Sequence, residues 1–292
     1  MRKSIYGLAN KLGFKIQNKN RERKRRIKHL SSFCNLVVNY ELLVDSYDSI
    51  KNLKIKFPEF KIERINDGFL VFFDNQKFII HTREEFFILN EVYISLDYEF
   101  FTHKDVILFD IGANVGLSTL FFSKKEYIKQ IYSFEPVEET YVQAKKNFQL
   151  NPLQSNKITS YNFGLAGEDK EVVFVFDNER KGRSGLRQGQ NDLANKVLTK
   201  VVLKDVSKIL MPIIKSNHDV SFVVKMDCEG AEYEIFENMM KGEILNHISI
   251  FMIEWHDKGA DEINSILIRN NFTVFNNYLT PVSGMIYAVK QS

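Results

Sequence analysis

The sequence predicts an α/β protein: a mostly parallel sheet covered by helices on both faces, with an antiparallel last strand, preceded by a helical and β-meander amino-terminal extension. Three observations carry this. From Val106 onward short apolar runs alternate with amphipathic stretches, the pattern of a parallel sheet buried on both sides. The first of these runs, 106–110, ends in an acid and passes into a glycine turn that opens a helix, Ile111-Gly112-Ala113-Asn114-Val115-Gly116. Before residue 100 the composition differs, with β-rich segments broken by Asn66-Asp67-Gly68 and Asp74-Asn75-Gln76.

Taken in order, Leu30, Phe33, Leu36, Val37, Tyr40, Leu43 and Val44 recur at helical spacing and predict one amphipathic helix over 30–44, packed on the body or on a membrane surface. Strands are expected at 61–65, 69–73 and 77–81, then a helix over 84–95. The α/β part follows, with strands at 106–110, 130–135, 157–163, 221–227 and 248–254 and helices at 117–125, 138–149, 230–240 and 260–270. The last two strands, 272–276 and 285–290, flank Leu279-Thr280-Pro281-Val282-Ser283-Gly284, whose turn residues predict an antiparallel pair. The organisation expected is a basic, helical segment over 1–60, a meander and helix over 61–100 and the main domain over 101–292, with a soft boundary near 100 because no Pro-rich linker intervenes.

With 292 residues, 44% hydrophobic and 26% charged, the chain is globular, and collagen-like, disordered and disulfide-scaffold classes are excluded. Cys34 and Cys228 form neither a CxxC pair nor a staple framework, so a reducing cytoplasm is expected. No window reaches the roughly 18 to 20 apolar residues of a spanning helix. The run 30–38 contains Ser31, Ser32 and Asn35 and lacks a small-x-small cleavage site, so secretion is not expected. The net charge of +3 divides unevenly: residues 1–30 hold eleven Lys/Arg against Glu22, giving +10, and the remaining 29 bases and 36 acids give −7. The basic segment is a solvated helix face or a site for anionic lipid, nucleic acid or an acidic glycan carrier.

A strand ending in Asp110 before Gly112 and Gly116 marks the ligand end of a doubly wound sheet, since glycines let backbone approach a ligand. Dinucleotides favour G-x-G-x-x-G, and Asn114 and Leu117 stand where the further glycines belong, while Asp110 suits a ligand with a cationic end. Nineteen residues after Gly116, Tyr132-Ser133-Phe134-Glu135-Pro136 supplies a second strand-ending acid at the spacing that holds a ribose diol.

At these residues the sequence resembles the FkbM family of S-adenosylmethionine-dependent methyltransferases. Asp110 to Gly116 matches its Asp-hydrophobic-Gly-Ala-Asn-hydrophobic-Gly, and Glu135-Pro136 its Glu-Pro. Lys225-Met-Asp227-Cys-Glu229-Gly230-Ala231-Glu232 matches its Lys-x-Asp-x-Glu-Gly-Ala-Glu, and Glu254-Trp255-His256 its Glu-x-His. Ser184-Gly185-Leu186 resembles a Ser-Leu segment before the fourth strand; the family's Leu-Asp there appears with an insertion, Leu203-Lys204-Asp205. The resemblance covers about residues 85–290 and implies a class I methyltransferase-like, Rossmann-like sheet with S-adenosyl-L-methionine as cofactor. It also implies that Asp110, Gly112, Asn114 and Gly116 line the methionine end, Glu135 holds the ribose, and Asn162 to Gly164 border the adenine. Gly164 reads equally well as a strand-end turn.

Methyl transfer to oxygen needs a positioned hydroxyl and a proton acceptor. Asp227 and Glu229 follow one strand and Glu254 and His256 the next, so these ends converge at the ligand crevice. His256 is the expected general base, with Glu254 or Asp227 orienting its ring or taking the proton instead. In the alternative reading Asp227 or Glu229 satisfies exposed amides, the acids of the first helical turn favour its dipole, and Lys225 pairs with them. Asp227, Glu254 and His256 also form an oxygen-and-imidazole set of the kind magnesium or manganese accepts, although no metal is expected.

The resemblance points to an O-methyltransferase whose acceptor is a hydroxyl of a sugar or glycan. The insertion 177–200, with Arg180, Lys181 and Arg183, is either a lid meeting an acidic sugar or phosphate or a solvated loop. Two rivals stand beside this: a non-catalytic scaffold of a surface-glycan pathway, and a nucleic-acid methyltransferase guided by the basic tail. No nucleic-acid partner is expected, because no RNA-binding module and no Asn-Pro-Pro-Tyr motif is found. A cytoplasmic protein touching anionic membrane through its amino-terminal segment is the expected setting.

Overall fold

The computed structural model describes residues 19–34, 40–177 and 196–291. Three helices come first, α1 (Lys19–Leu30), α2 (Tyr40–Asp45) and α3 (Tyr47–Lys56), followed by the antiparallel meander β1 (Lys61–Ile65), β2 (Gly68–Phe73) and β3 (Gln76–Ile80). Helix α4 (Arg83–Asn90) is started by Thr82, whose hydroxyl accepts from the Glu85 amide, while Glu85 reaches back to the His81 amide. It unwinds into a π turn, Glu91–Ser95, closed by Leu96 at φ 61°.

The α/β part comprises β4 (Val106–Ile111), α5 (Leu117–Ser123), β5 (Ile128–Phe134), α6 (Glu138–Gln149), α7 (Pro152–Ser155), β6 (Ile158–Tyr161), β7 (Gly164–Ala166), β8 (Lys170–Asp177), β9 (Lys196–Asp205), α8 (Val206–Lys215), β10 (Ser221–Met226), α9 (Glu232–Lys241), β11 (Ile248–His256), α10 (Asp261–Arg269), β12 (Phe272–Thr280) and β13 (Ser283–Lys290). The main sheet has the order β12-β13-β11-β10-β4-β5-β6. Strands β6, β5, β4, β10 and β11 are parallel, and β13 inserts antiparallel between β11 and β12. The mostly parallel sheet with an antiparallel last strand is therefore as expected. The chain moves outward from β4 to β6, then crosses back to β10 beside β4. The carboxyl ends of β4 and β10 are thus the switch point where such sheets bind ligands.

Two expectations change. The helix expected over 30–44 is not one element, because the basic segment itself is helical and stops at Leu30, and a separate helix starts at Tyr40. Arg23 and Arg26 explain it: they pair with Glu41 and Asp48, so one face of α1 is docked rather than solvated. The stretch 164–205, left without strands by sequence, carries the three-stranded sheet β7-β9-β8. Asp205, the departure from the family pattern, caps α8 by accepting from the Ser207 and Lys208 amides. Among the described residues no helix is long and apolar enough to cross a membrane.

The extension is bonded to the main domain through the free edge of β3. Gln143, Asn147 and Asn151, four residues apart on and just beyond α6, face that edge. Gln143 donates to the Ile79 carbonyl, Asn147 accepts from the Ile79 amide at 2.7 Å, and Asn151 both accepts from and donates to Lys77. An edge that invites strand pairing is closed by side-chain amides. Apolar packing follows the same seam, since one core runs from Leu30 and Phe86 to Val106 and Leu120. Asn147 is fully buried and also donates to the Val115 carbonyl at 2.9 Å. Asn147→Ala leaves the buried Val115 carbonyl and the half-buried Ile79 amide without this partner, and is expected to lower unfolding free energy by about 2 kcal/mol in urea titration.

Candidate functional site

A cavity of about 660 Å³ opens at the switch point, within the size range of small-molecule sites. Its floor is the turn after β4. Gly112 and Gly116 stand at φ 79° and 81°, and a Cβ on Gly112 would lie 1.8 Å from the Asp227 carbonyl oxygen. One on Gly116 would lie 2.6 Å from the Phe148 ring. Both glycines thus serve contacts inside the protein. Gly112 and Asn114 still border the cavity, whereas Gly116, expected to do so, is turned onto α6.

Asp110 also departs from expectation. It is fully buried and lies behind the turn, where Oδ2 accepts from the hydroxyls of Ser118 and Thr119 at 2.9 and 2.6 Å. Its Oδ1 is 3.1 Å from Nζ of Lys225, the residue beside it in register on β10. Lys225 donates as well to the Gly112 carbonyl at 2.6 Å. Burial pulls this ammonium toward neutrality, yet Asp110 and Asp227 outweigh that and hold its pKa above the ordinary value. The acid is spent on the turn, not on a ligand.

Glu135 borders the cavity from the end of β5. Its two oxygens each accept a backbone amide at 2.9 Å, from Val137 and Asn114, which fixes the carboxylate beside the turn. Burial raises its pKa to about 7 against the pull of these amides and of Lys225. Asn162, expected near an adenine, is exposed and does not border the cavity; it donates to the Glu135 carbonyl and braces that backbone. Gly164 does border it, and a Cβ there would meet Leu203 at 2.6 Å. Pro136, Val137, Leu165, Val201 and Leu203 make this end an apolar slot. The small sheet that sequence missed supplies part of it.

At the other end Asp227 follows β10, and Glu254 and His256 end β11 alongside it. His256 is buried. Its Nδ1 lies 3.1 Å from Glu232, and its Nε2 lies 3.6 Å from Glu254 and 3.8 Å from Glu229. Burial lowers the imidazole pKa, but the bonds to Glu232 and Glu254 and the charge of Asp227 prevail and raise it to about 11. The acids around the ring thus favour its protonated form, which opposes the general-base role expected of His256. Asp227 moves the other way in function, because burial first and Glu254 next push its carboxyl well above the usual range, making it more basic than an ordinary aspartate. Asp227, Glu229 and His256 offer atoms within 4.8 Å of one another. A protonated ring offers no lone pair of its own, so His256 then serves this cluster as the cation of an ion-pair network with the carboxylates.

Sequence reasoning passed over two contributors. Glu232, read as a helix-start acid, is fully buried and accepts from the Cys228 and Gly230 amides as well as pairing with His256. Its signal was its place in the run Lys225 to Glu232. Glu91, from the π turn of the extension, borders the cavity, and burial with Glu254 and Asp227 raises its pKa to about 9. Nothing local marks Glu91, which reaches the site only through tertiary packing. Arg180, Lys181, Arg183 and Ser184 to Leu186 lie outside the described residues.

A family model described as the Methyltransferase FkbM domain matches residues 110–274. Methyltransferase 1 of Beauveria bassiana is 23% identical over 169 residues, 52% of this chain and 66% of that protein. Among solved structures, a Methyltransferase FkbM from Methylobacillus flagellatus aligns at 14% identity and a TM-score of 0.47, over 91% of this chain and 58% of that one. M. jannaschii TYW2 in complex with AdoMet aligns at 11% identity and a TM-score of 0.38, over 78% and 84%. The chain thus spans less than two thirds of the first two relatives.

Two outcomes follow from the electrostatics. Lys225→Met leaves Asp110 buried without its partner and should cost about 3–5 kcal/mol in chemical denaturation, whereas adding Asp110→Asn should recover most of it. Glu91 carries a folded-state pKa of about 9 against 4.5 as its ordinary value, so the unfolded chain ionises first and stability drains away as pH rises between them. Glu91→Gln removes that loss. Its melting temperature should exceed the parent's at pH 8 and converge with it toward pH 4.5, and a constant difference across pH would contradict the assignment.

Proposed function

The chain belongs to the FkbM methyltransferase family, and on that premise we propose that it transfers a methyl group from S-adenosylmethionine to a hydroxyl of an uncharged saccharide or similar polyol. The observation that carries this reading is one continuous cavity with Glu135 and an apolar slot at one end and Asp227, Glu254 and His256 at the other. When bound, S-adenosylmethionine supplies an electrophilic methyl on a sulfonium centre. The residues fit that group: Glu135 suits a diol, the slot between Val137 and Leu203 suits a flat base, and the surrounding carboxylates favour positive charge.

The chain's own residues then have distinct tasks. Asp227 accepts the proton of the acceptor hydroxyl, its basicity raised by burial. Glu232 fixes the His256 ring, and the imidazolium in turn holds Glu254 and Glu229, so the group keeps its shape around one cation. Glu254 accepts a hydroxyl hydrogen bond and Glu91, protonated near neutrality, donates one, while the ionised acids around them disfavour a uronate or phosphate.

Calorimetric titration with S-adenosylhomocysteine should give saturable binding that Glu135→Ala abolishes. Asp227→Asn should bind it nearly as the parent does while lowering labelled-methyl transfer to a saccharide panel by about a hundredfold or more. A folded parent protein that binds none overturns the cofactor assignment. Undiminished turnover by Asp227→Asn overturns the role of that residue.

A further inference from the structure

Helix α1 has two faces of different fate. Arg23, Arg26, Ile27 and Leu30, spaced by three and four, turn toward the body. There Arg23 bonds Tyr40 and Glu41, Arg26 pairs with Asp48 at 3.1 Å and lies over the Tyr47 ring, and Leu30 is fully buried. Lys24, Arg25 and Lys28 fall on the other face and are exposed; Arg25 keeps only a loose 3.8 Å contact to Glu22. Seven Lys/Arg against Glu22 give the helix +6, and Glu41 with Asp48 reduce this to +4. The docked face accounts for its own charge, so the surplus sits on the outer one.

We propose that this outer face of α1 docks the protein on an anionic lipid bilayer. Charge complementarity is the first argument, since clustered Lys/Arg on a helix beside its lipid surface are each worth a factor of about five in binding. The second is what precedes the helix. The eighteen residues before Lys19 hold Arg2, Lys3, Lys11 and Lys15 and no acid, interleaved with Ile5, Leu8, Leu12 and Ile16. A bilayer takes up both the cations and the apolar groups. A phosphate backbone takes up only the cations, and no aromatic residue stands on the outer face of α1 to stack on bases. The tethering of Arg23 and Arg26 keeps the stripe pointing away from the body. Docking therefore requires no refolding of α1.

The test is cosedimentation of the full-length protein with phosphatidylcholine vesicles with and without phosphatidylserine, at low and raised salt. The parent protein should pellet only with the phosphatidylserine vesicles and detach as salt rises. The triple variant Lys24→Glu, Arg25→Glu, Lys28→Glu, whose sites are exposed, should melt like the parent and bind about a hundredfold more weakly. Equal binding by the variant, no binding by the parent, or tighter salt-sensitive binding of the parent to poly(U) RNA than to the vesicles each overturns the proposal. None of these readouts uses methyl transfer, so the result stands apart from the fate of the methyltransferase reading.

Discussion

The site is organised around one buried ion pair. Lys225 and Asp110 are register partners on the two strands that flank the switch point, and both are almost wholly removed from water. Charges in such a place need full satisfaction. The Asp110 Oδ2 accepts from Ser118 and Thr119 and its Oδ1 has the ion pair with Lys225, which in turn donates to the Gly112 carbonyl. These bonds join β4, the glycine turn, the start of α5 and β10 into one unit. The turn so held delivers the Asn114 amide to Glu135, and Gly112 lets the chain after β10 pass within contact of the turn, which sets where Asp227 emerges. One buried ion pair therefore helps decide where the cavity-facing acids stand.

The same reasoning explains the end of the cavity at His256. An isolated histidine titrates near neutrality, but His256 is enclosed by Glu229, Glu232, Glu254 and Asp227. One cation amid several carboxylates is worth more to the fold as a charge than as a base. Glu232 is in turn held by the Cys228 and Gly230 amides, so the tight turn through Glu229 and Gly230, both at positive φ, is part of the electrostatics. Basicity passes to a carboxylate whose ionised form is disfavoured by burial and by like charge.

Much of this was legible in the sequence, and the limits are instructive. Asp227, Glu254 and His256 could be brought together because each ends a strand and the fold class places strand ends side by side. Glu135 could be placed by spacing. Asp110, Gly116 and Asn162 were assigned to the ligand because a motif reports which residues are present and not which way they face; burial behind the turn, packing on Phe148 and exposure at the back of the Glu135 turn are tertiary facts. The small sheet escaped because Val173, Leu198 and Val202 are apolar yet exposed, which erases the two-residue alternation that Val172, Val201 and Leu203 would otherwise show. The basic run stood open between a solvated face and an anionic partner outside the chain, since the acids that answer Arg23 and Arg26 lie on later helices.

The extension illustrates why a boundary near residue 100 is soft in physical terms. A three-stranded meander has two edges and one apolar face to satisfy, and neither is satisfied alone. Its β3 edge is met by amides of Gln143, Asn147 and Asn151, groups that belong to the helix after β5, and Gln76 donates to the Leu120 carbonyl in α5. Because those helices also form the far side of the glycine turn, the extension and the turn share supports: Asn147 bonds Ile79 on one side and Val115 on the other. The π turn that follows α4 then has a fixed position from which Glu91 and Tyr98 reach the cavity, Tyr98 lying with its ring 5.5 Å from the Lys225 ammonium. The two ends of the cavity and the extension are thus coupled through a few buried polar side chains, and a change in the extension reaches the site through α6 as well as through Glu91 and the shared apolar core.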